Sequence, residues 1–375
     1  MKPSKKGDEA KLKELGVTGY VYPIDQVLGL TRLPFKMTVA AMLVIAKEST
    51  RSESYEEAEK ILKERSQIET NDDTMRKVTN TIGKMVFEND IEISESAWEK
   101  FESGKLDFPK TKINNTLYLE IDGAMVPTRL DGKNGSIYKE NKLCMSFSSD
   151  NIFWWTDKHG DRQHRIDKRE YTSYIGGVEV FTKLVLSLAL KNGYGKYKNT
   201  VLISDGATWI RNLKDIILPD AQQILNFYHL KEHITNYSKI IFNNDENIYT
   251  PWSKKVSDLF KTSDTDKAIG LIKRSRKNKY VSQLENLINY IQNSRNNIDY
   301  ASYRSKGYFI GSGAIESSNK TVLQRRLKYG AMRWNVDSGQ AVVTLVAKAR
   351  SGLWESEVVQ AAYNKYGEPM PHEFA

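Results

Sequence analysis

Two stretches with the alternation of β-strands run into Asp-Gly pairs, and both lie between blocks of helical periodicity. In Asn115–Asp122 the apolar residues Leu117, Leu119 and Ile121 share one face, and Glu120 and Asp122 share the other. Thr200-Val201-Leu202-Ile203-Ser204 reads as a buried central strand and ends on Asp205-Gly206. Strands interleaved with helices, one of them a buried central strand, read as an α/β fold. Leu143–Ser148, Ile152–Thr156 and Ala221–Tyr228 read as further strands, and Val178–Leu190 as a helix between them.

The chain before this sheet, residues 1–110, reads as a helical domain. Met37–Ala46 is a continuous apolar run that suits a buried helix. Tyr55, Ala58, Ile61 and Leu62 fall on one face of the next helix. After a polar break with Thr70 and Asn71 as N-cap candidates, a helix over Asp73–Phe87 buries Met75, Val78, Ile82 and Val86. It turns Arg76, Lys77 and Lys84 outward. Two helices across a short break, the second with outward basic groups, is the pattern of a helix-turn-helix DNA reader; an ordinary helical hairpin has the same pattern.

The first part of the α/β domain is expected over residues 111–233, and an all-helical insertion over 234–306. In the insertion, Trp252, Val256, Leu259 and Phe260 form one stripe behind Pro251, placed at a helix start, and Tyr280, Leu284, Leu287, Ile288 and Ile291 form a second. The domain resumes over 307–350 with Gly311-Ser312-Gly313 and a helix from about Ala314 to Lys328, and residues 351–375 read as a C-terminal tail.

Fifty-six Lys and Arg against 47 Asp and Glu give a formal charge of +9, which favours a polyanionic partner such as nucleic acid. The single cysteine, Cys144, excludes an internal disulfide and a cysteine-based zinc site. Met1–Lys6 is followed by charged residues rather than an apolar signal core, and the apolar stretch Val180–Leu190 is too short to span a bilayer. A soluble, cytoplasmic, nucleoid-associated protein with no membrane partner is the expectation.

Asp122 and Asp205 at strand ends, and Glu316 in the first turn of a helix behind a glycine-rich turn, occupy positions where α/β sheets gather functional groups. Each alone is ordinary: Asp-Gly is a common turn, and Glu suits a helix N-terminus. Their order along the chain is more specific. Three converging carboxylates repel one another unless a cation neutralises them, and hard oxygen ligands select Mg²⁺ or Mn²⁺. Two such ions about 4 Å apart clamp the attacking and leaving oxygens of a phosphodiester displacement.

With these residues in view, the chain resembles the DDE transposases of bacterial insertion sequences, within the Mutator-like group. The resemblance is carried by Leu119–Gly123, Ile203–Ile210, Phe227–His233, Gly311–Ser317 and Arg326–Trp334, and spans residues 114 to 350. Ala331 beside Gly330 departs from the family's pattern. The resemblance implies a ribonuclease-H-like mixed sheet with a helical insertion. It implies Asp122, Asp205 and Glu316 as catalytic metal ligands, DNA (transposon ends and target) as partner, and a homodimer or higher oligomer on DNA. The activity implied is metal-dependent strand cleavage and strand transfer. A nuclease of the same fold and a catalytically inactive DNA-binding protein are the alternatives.

His229 and His233 frame the string His-Leu-Lys-Glu-His, which formally matches an inverted zinc-protease motif but lacks a third ligand. The family pattern gives His229 a place beside the second Asp, in reach of a scissile phosphate or attacking water; capping the following helix is its plainer role. Between Glu316 and Asp337 there is no acid, and Lys320, Arg325, Arg326, Lys328 and Arg333 are expected to hold DNA phosphate, with Lys320 one turn from Glu316. Tyr329 and Trp334 interleave with them; Trp334 is assigned to the core.

Overall fold

A computed structural model describes residue 25 and residues 29–66, 68–129, 136–160, 162–311 and 313–367. Met1–Lys6 and Ser312 lie outside the described residues. Among the described residues, the α-helices before the sheet are α1 (Val39–Arg51), α2 (Tyr55–Ser66) and α3 (Asp72–Glu102). Thr38 caps α1 by accepting from the Ala41 N–H, and Asn71 caps α3 by accepting from Thr74. The helix α3 continues well beyond Phe87, where the stripe was expected to end. No Gly or Pro interrupts residues 88–102, and Gly104 at φ 64 provides the stop.

Among the described residues seven strands follow: β1 (Ile113–Arg129), β2 (Ser136–Ser148), β3 (Ile152–Thr156), β4 (Arg162–Ile166), β5 (Glu170–Ile175), β6 (Tyr197–Ser204) and β7 (Gln222–Leu225). Five form one mixed sheet in the order β5-β2-β1-β6-β7, antiparallel across β5, β2 and β1 and parallel across β1, β6 and β7. The hairpin β3–β4 is a separate two-stranded sheet. Between β5 and β7 run α4 (Val178–Lys191) and α5 (Thr208–Ile217).

The helical segment after β7 comprises α6 (Phe227–Ile241), α7 (Glu246–Lys261), α8 (Thr265–Arg274), α9 (Val281–Asn293) and α10 (Tyr300–Ser305). It begins at Phe227 rather than 234, because Asn226 ends the strand and caps α6. Pro251 is not at a helix start: α7 begins at Glu246 behind the cap Asp245, and Pro251 lies inside it. The apolar faces of these helices join the main core through Val256, Phe260, Ile272, Leu287 and Ile291. Next come α11 (Gly313–Ser318), a π-helical stretch at Asn319–Gln324, one α-turn at Arg325–Leu327, and α12 (Val336–Arg350).

Strand alternation sorts the core into two layers. Leu117, Leu119, Ile121 and Leu202 pack with Phe181, Val185, Ile210 and Leu213 of α4 and α5. Tyr118, Val201 and Ile203 face the other way, toward α6, α9 and α12.

The helix α12 is buried nearly all round from Gly339 to Lys348, its Gln340, Thr344 and Lys348 included. Val342, Val343 and Val346 pack on the sheet side. Leu345 joins Val39, Met42, Met75 and Ile82 of the N-terminal helices. The same N-terminal core takes in Trp354, Val358, Val359, Ala362 and Tyr363. Residues 354–366 are therefore helical and docked, where the sequence suggested a tail. Gly83 permits the crossing of α3 and α12, since a Cβ there would stand 2.3 Å from the Ala341 carbonyl oxygen. The division at residue 110 is thus not a boundary between cores. Among the described residues no helix is long and apolar enough to cross a membrane.

Candidate active site

Parallel pairing brings the two aspartates together. Ile121 of β1 is in register with Ser204 of β6, so Asp122 and Asp205, each the next residue, emerge at one level of adjacent strands. The sequence suggested that Asp122 ends its strand, but β1 runs on to Arg129 paired with β2, and only the pairing with β6 stops here. Gly206 at φ 87 makes the turn out of β6, and a side chain there would meet Leu225 Cδ1 at 2.8 Å. Glu316 arrives from α11. All three acids line one cavity of about 250 Å³ with Ile121, Asn226, Tyr228, His229 and Glu232.

Short hydrogen bonds hold these acids. Asp122 Oδ1 accepts from the Gly123 N–H at 2.8 Å, and its Oδ2 accepts from Asn319 Nδ2. Asp205 Oδ1 accepts from the Ala207 N–H at 2.9 Å. Glu316 Oε1 accepts from Asn226 Nδ2 at 3.1 Å. Burial pushes Asp122 above the usual aspartate range; the Gly123 N–H opposes this, and Asp205 and Glu316 push it further up. Beneath them Glu120, 2% exposed, accepts from the Ile315 N–H at 3.0 Å and so fixes the start of α11. Burial pushes its carboxyl up to about 8.

A divalent cation suits this donor set. The acids are hard oxygen ligands whose repulsion a cation relieves, and beside Asp122 the buried Asn319 Oδ1 lacks a hydrogen-bond partner. As they stand, no three Asp, Glu, His or Cys side chains among the described residues are gathered tightly enough to hold an ion. The carboxylates accept from the N–H groups named above, which is compatible with ligation, and binding an ion requires them to draw closer together.

His229 lies in the first turn of α6, half-exposed on the same cavity, with Nδ1 3.9 Å from Glu232 Oε2. His233, one turn on, is 4.9 Å from His229 ring to ring and stacks on Tyr290 at 4.3 Å. The Tyr290 hydroxyl donates to the Asp205 carbonyl at 2.8 Å, so His233 braces the second aspartate through Tyr290. Burial lowers the His233 pKa, and His229 lowers it further. No third side chain completes a zinc site with the two histidines among the described residues.

The expected DNA-binding residues divide. Lys320, Arg325, Lys328 and Arg333 are exposed on the segment that follows Glu316. Arg326 is not available to DNA: it is 2% exposed, donates from Nε to the Ser49 carbonyl at 3.0 Å, and lies over the rings of Tyr55 and Trp334. The π-helical stretch before it rotates later residues by roughly a third of a turn relative to an α-helix, which turns Arg326 inward. Trp334 is in the core, with its indole N–H donating to the Leu327 carbonyl at 3.0 Å. Arg76, Lys77 and Lys84 are exposed on α3 and are not part of the acid cavity. Arg76 and Lys77 each pair with Asp73 at 2.6 Å, and Lys84 stands 3.8 Å from Glu88.

Sequence reasoning missed Glu120, Asn226 and Asn319. Only Glu120 left a signal, its place two residues before Asp122 on the same strand face. No protein-family model matches this chain, and no curated protein is significantly similar to it.

Proposed function

We propose that the chain is a DDE-type transposase of the Mutator-like group, with a ribonuclease-H-like catalytic fold, acting on transposon ends and target DNA as a homodimer or higher oligomer. The observation that carries this reading is the convergence of Asp122, Asp205 and Glu316 from three distant segments on one cavity. A mixed sheet with both aspartates on adjacent parallel strands, and helices α6 to α10 inserted before the third acid, fits the same reading.

Asp122, Asp205 and Glu316, with Asn319 Oδ1 beside them, are the groups that would hold Mg²⁺ or Mn²⁺. When bound, such ions polarise the scissile phosphate and stabilise the charge that develops on it. The chain's own residues do the rest. Asn226 orients Glu316 by its amide N–H, and Glu120 anchors the first turn of α11, so that the third acid faces the other two. His229, on the cavity wall, is placed to donate a hydrogen bond to a phosphate oxygen or to move a proton at the attacking oxygen. Lys320, Arg325, Lys328 and Arg333 supply positive charge for the backbone of the bound strand.

The test is a Mg²⁺-dependent nicking and joining assay on a transposon-end duplex. Wild type should nick and then join; Asp205→Asn should lose several orders of magnitude of cleavage, and His229→Ala on the order of 10²-fold. Cleavage without joining would reduce the proposal to a nuclease. Full cleavage by Asp205→Asn would refute the mechanism.

A further inference from the structure

The hairpin β3–β4 spends its aromatic residues in an unusual way. Antiparallel pairing sets Trp154 opposite His164 and Phe153 opposite Arg165, so the two pairs lie on opposite faces. The inner face is explained by packing: Trp154, His164 and Phe309 meet ring to ring at 4.6–5.6 Å. The outer face is not. Phe153 and Trp155, 54% and 42% exposed, stack on each other at 6.3 Å in open solvent. The Arg165 guanidinium lies 5.7 Å from the Phe153 ring.

Between the hairpin and the acid site is a cavity of about 480 Å³, whose walls include His164, Arg165, Arg169, Phe309, Glu120 and Tyr228. Tyr228 also lines the acid cavity, so the two spaces share a wall. The exposed side chains Lys158 and Lys168 add positive charge to the hairpin and the loop after it. Among the described residues its carboxylates are engaged within it: Asp167 with Arg165 at 2.5 Å, and Asp157 with Gln163 at 2.9 Å.

We infer that this hairpin is a platform for unpaired nucleotides of the DNA strand that leaves the acid cavity. Exposed aromatic rings next to guanidinium and ammonium groups match a strand whose bases offer their faces and whose phosphates are anionic. Bases inside a duplex are already stacked on their neighbours, so only a single-stranded segment can use the Phe153–Trp155 face. The inference rests on the transposase reading for the identity of the strand, but not for the chemistry of the platform.

The experiment uses the full chain and a single-stranded oligonucleotide carrying 2-aminopurine, whose fluorescence falls when the base stacks. Wild type should quench it on binding. Phe153→Ala/Trp155→Ala should lower single-strand affinity on the order of 10²-fold, with binding to a duplex of the same length unchanged. Arg165→Ala should keep the quenching and reduce the salt slope by about 1. Unchanged affinity and quenching in the double variant would overturn the inference. So would a change in sedimentation without a change in oligonucleotide binding, which would assign the face to a second copy of the chain. If the double variant does not fold, Trp155→Phe, which should bind as wild type, and Trp155→Ser, which should not, decide the matter. A protein that binds single strands through the hairpin but nicks nothing loses the proposed function and keeps this platform. One that nicks normally, while its double variant binds single strands as wild type does, loses the platform alone.

Discussion

Asp90, Glu170 and Glu357 form one gathering of three carboxylates in this molecule, and Asp122, Asp205 and Glu316 form another. In the first, Lys348 Nζ reaches Asp90 and Glu357, each at 2.6 Å, and Lys191 Nζ reaches Glu170 at 2.8 Å and Glu357 at 2.5 Å. In the second, the described residues of the cavity wall include no Lys or Arg, and the basic side chain among them is His229. The first cluster brings its own counter-charge and ties α3 and the 354–359 segment to α12. The second leaves like charges facing one another, an arrangement that destabilises a fold unless a cation is to arrive. That contrast, rather than the number of acids, separates a structural cluster from a candidate catalytic one.

The sharpest way to break the comparison is Asp205→Asn. If the acid cavity is built for metal, this substitution abolishes cleavage and leaves thermal stability equal or higher, because it removes a repulsive charge. A lowered melting temperature, of the kind expected when one partner of an ion pair is lost, would show that Asp205 is neutralised within the fold like Glu357.

The matching change in the other cluster is Lys348→Met. It leaves half-buried Asp90 and Glu357 without their shared partner, at a cost of about 3 kcal/mol, read by denaturant unfolding. The pH dependence of Glu357 and Lys348 has a definite sign, whereas burial outweighs Lys348 at Asp90 and holds its carboxyl above the usual range. Burial alone would raise Glu357, but Lys348 and Lys191 outweigh it and hold its carboxyl below the usual glutamate range. Its contribution is therefore complete above that range and is lost as pH falls through the depressed value. Lys348 is held above the usual lysine range because Asp90 and Glu357 outweigh its burial, so its contribution fades only as pH rises through that raised value. The variant should flatten the acid limb of the stability profile; an unchanged limb would show the network to be inert.

The fold and the candidate site were legible in the sequence to different depths. Alternation over Leu117–Asp122 and the apolar run ending at Asp205 gave the sheet faces and the positions of two acids, because strand periodicity is local. The third acid was legible from its glycine-rich turn and the order of segments. What lies between the acids was not. Asn226 and Asn319 act through single side-chain hydrogen bonds across distant parts of the chain, and no local pattern records a tertiary contact. The same limit hid the docking of Trp354 and Val358 on the N-terminal helices, since an amphipathic helix reads alike whether it meets a neighbour or a partner. Arg326 was misplaced for another reason: it was assigned to DNA by its charge in a stretch without acids, and composition does not record the π-helical stretch that turns it inward.

Arg326 and Lys328, two residues apart, carry the smallest and most discriminating prediction. Arg326 has its charge answered inside the protein by the Ser49 and Glu53 carbonyls and two aromatic faces, and burial lowers its pKa. Lys328 is exposed at the end of the same basic segment. If exposed charge here serves DNA as exposed carboxylate serves metal, Lys328→Ala should leave the melting temperature unchanged and lower the slope of duplex affinity against salt by about 1, uniformly across sequences. Arg326→Met should shift the melting temperature and leave the salt slope of the folded protein as in wild type. A salt slope that responds to Arg326 and not to Lys328 would mean that the segment opens on binding, and that its buried arginine rather than its exposed lysine meets the phosphates.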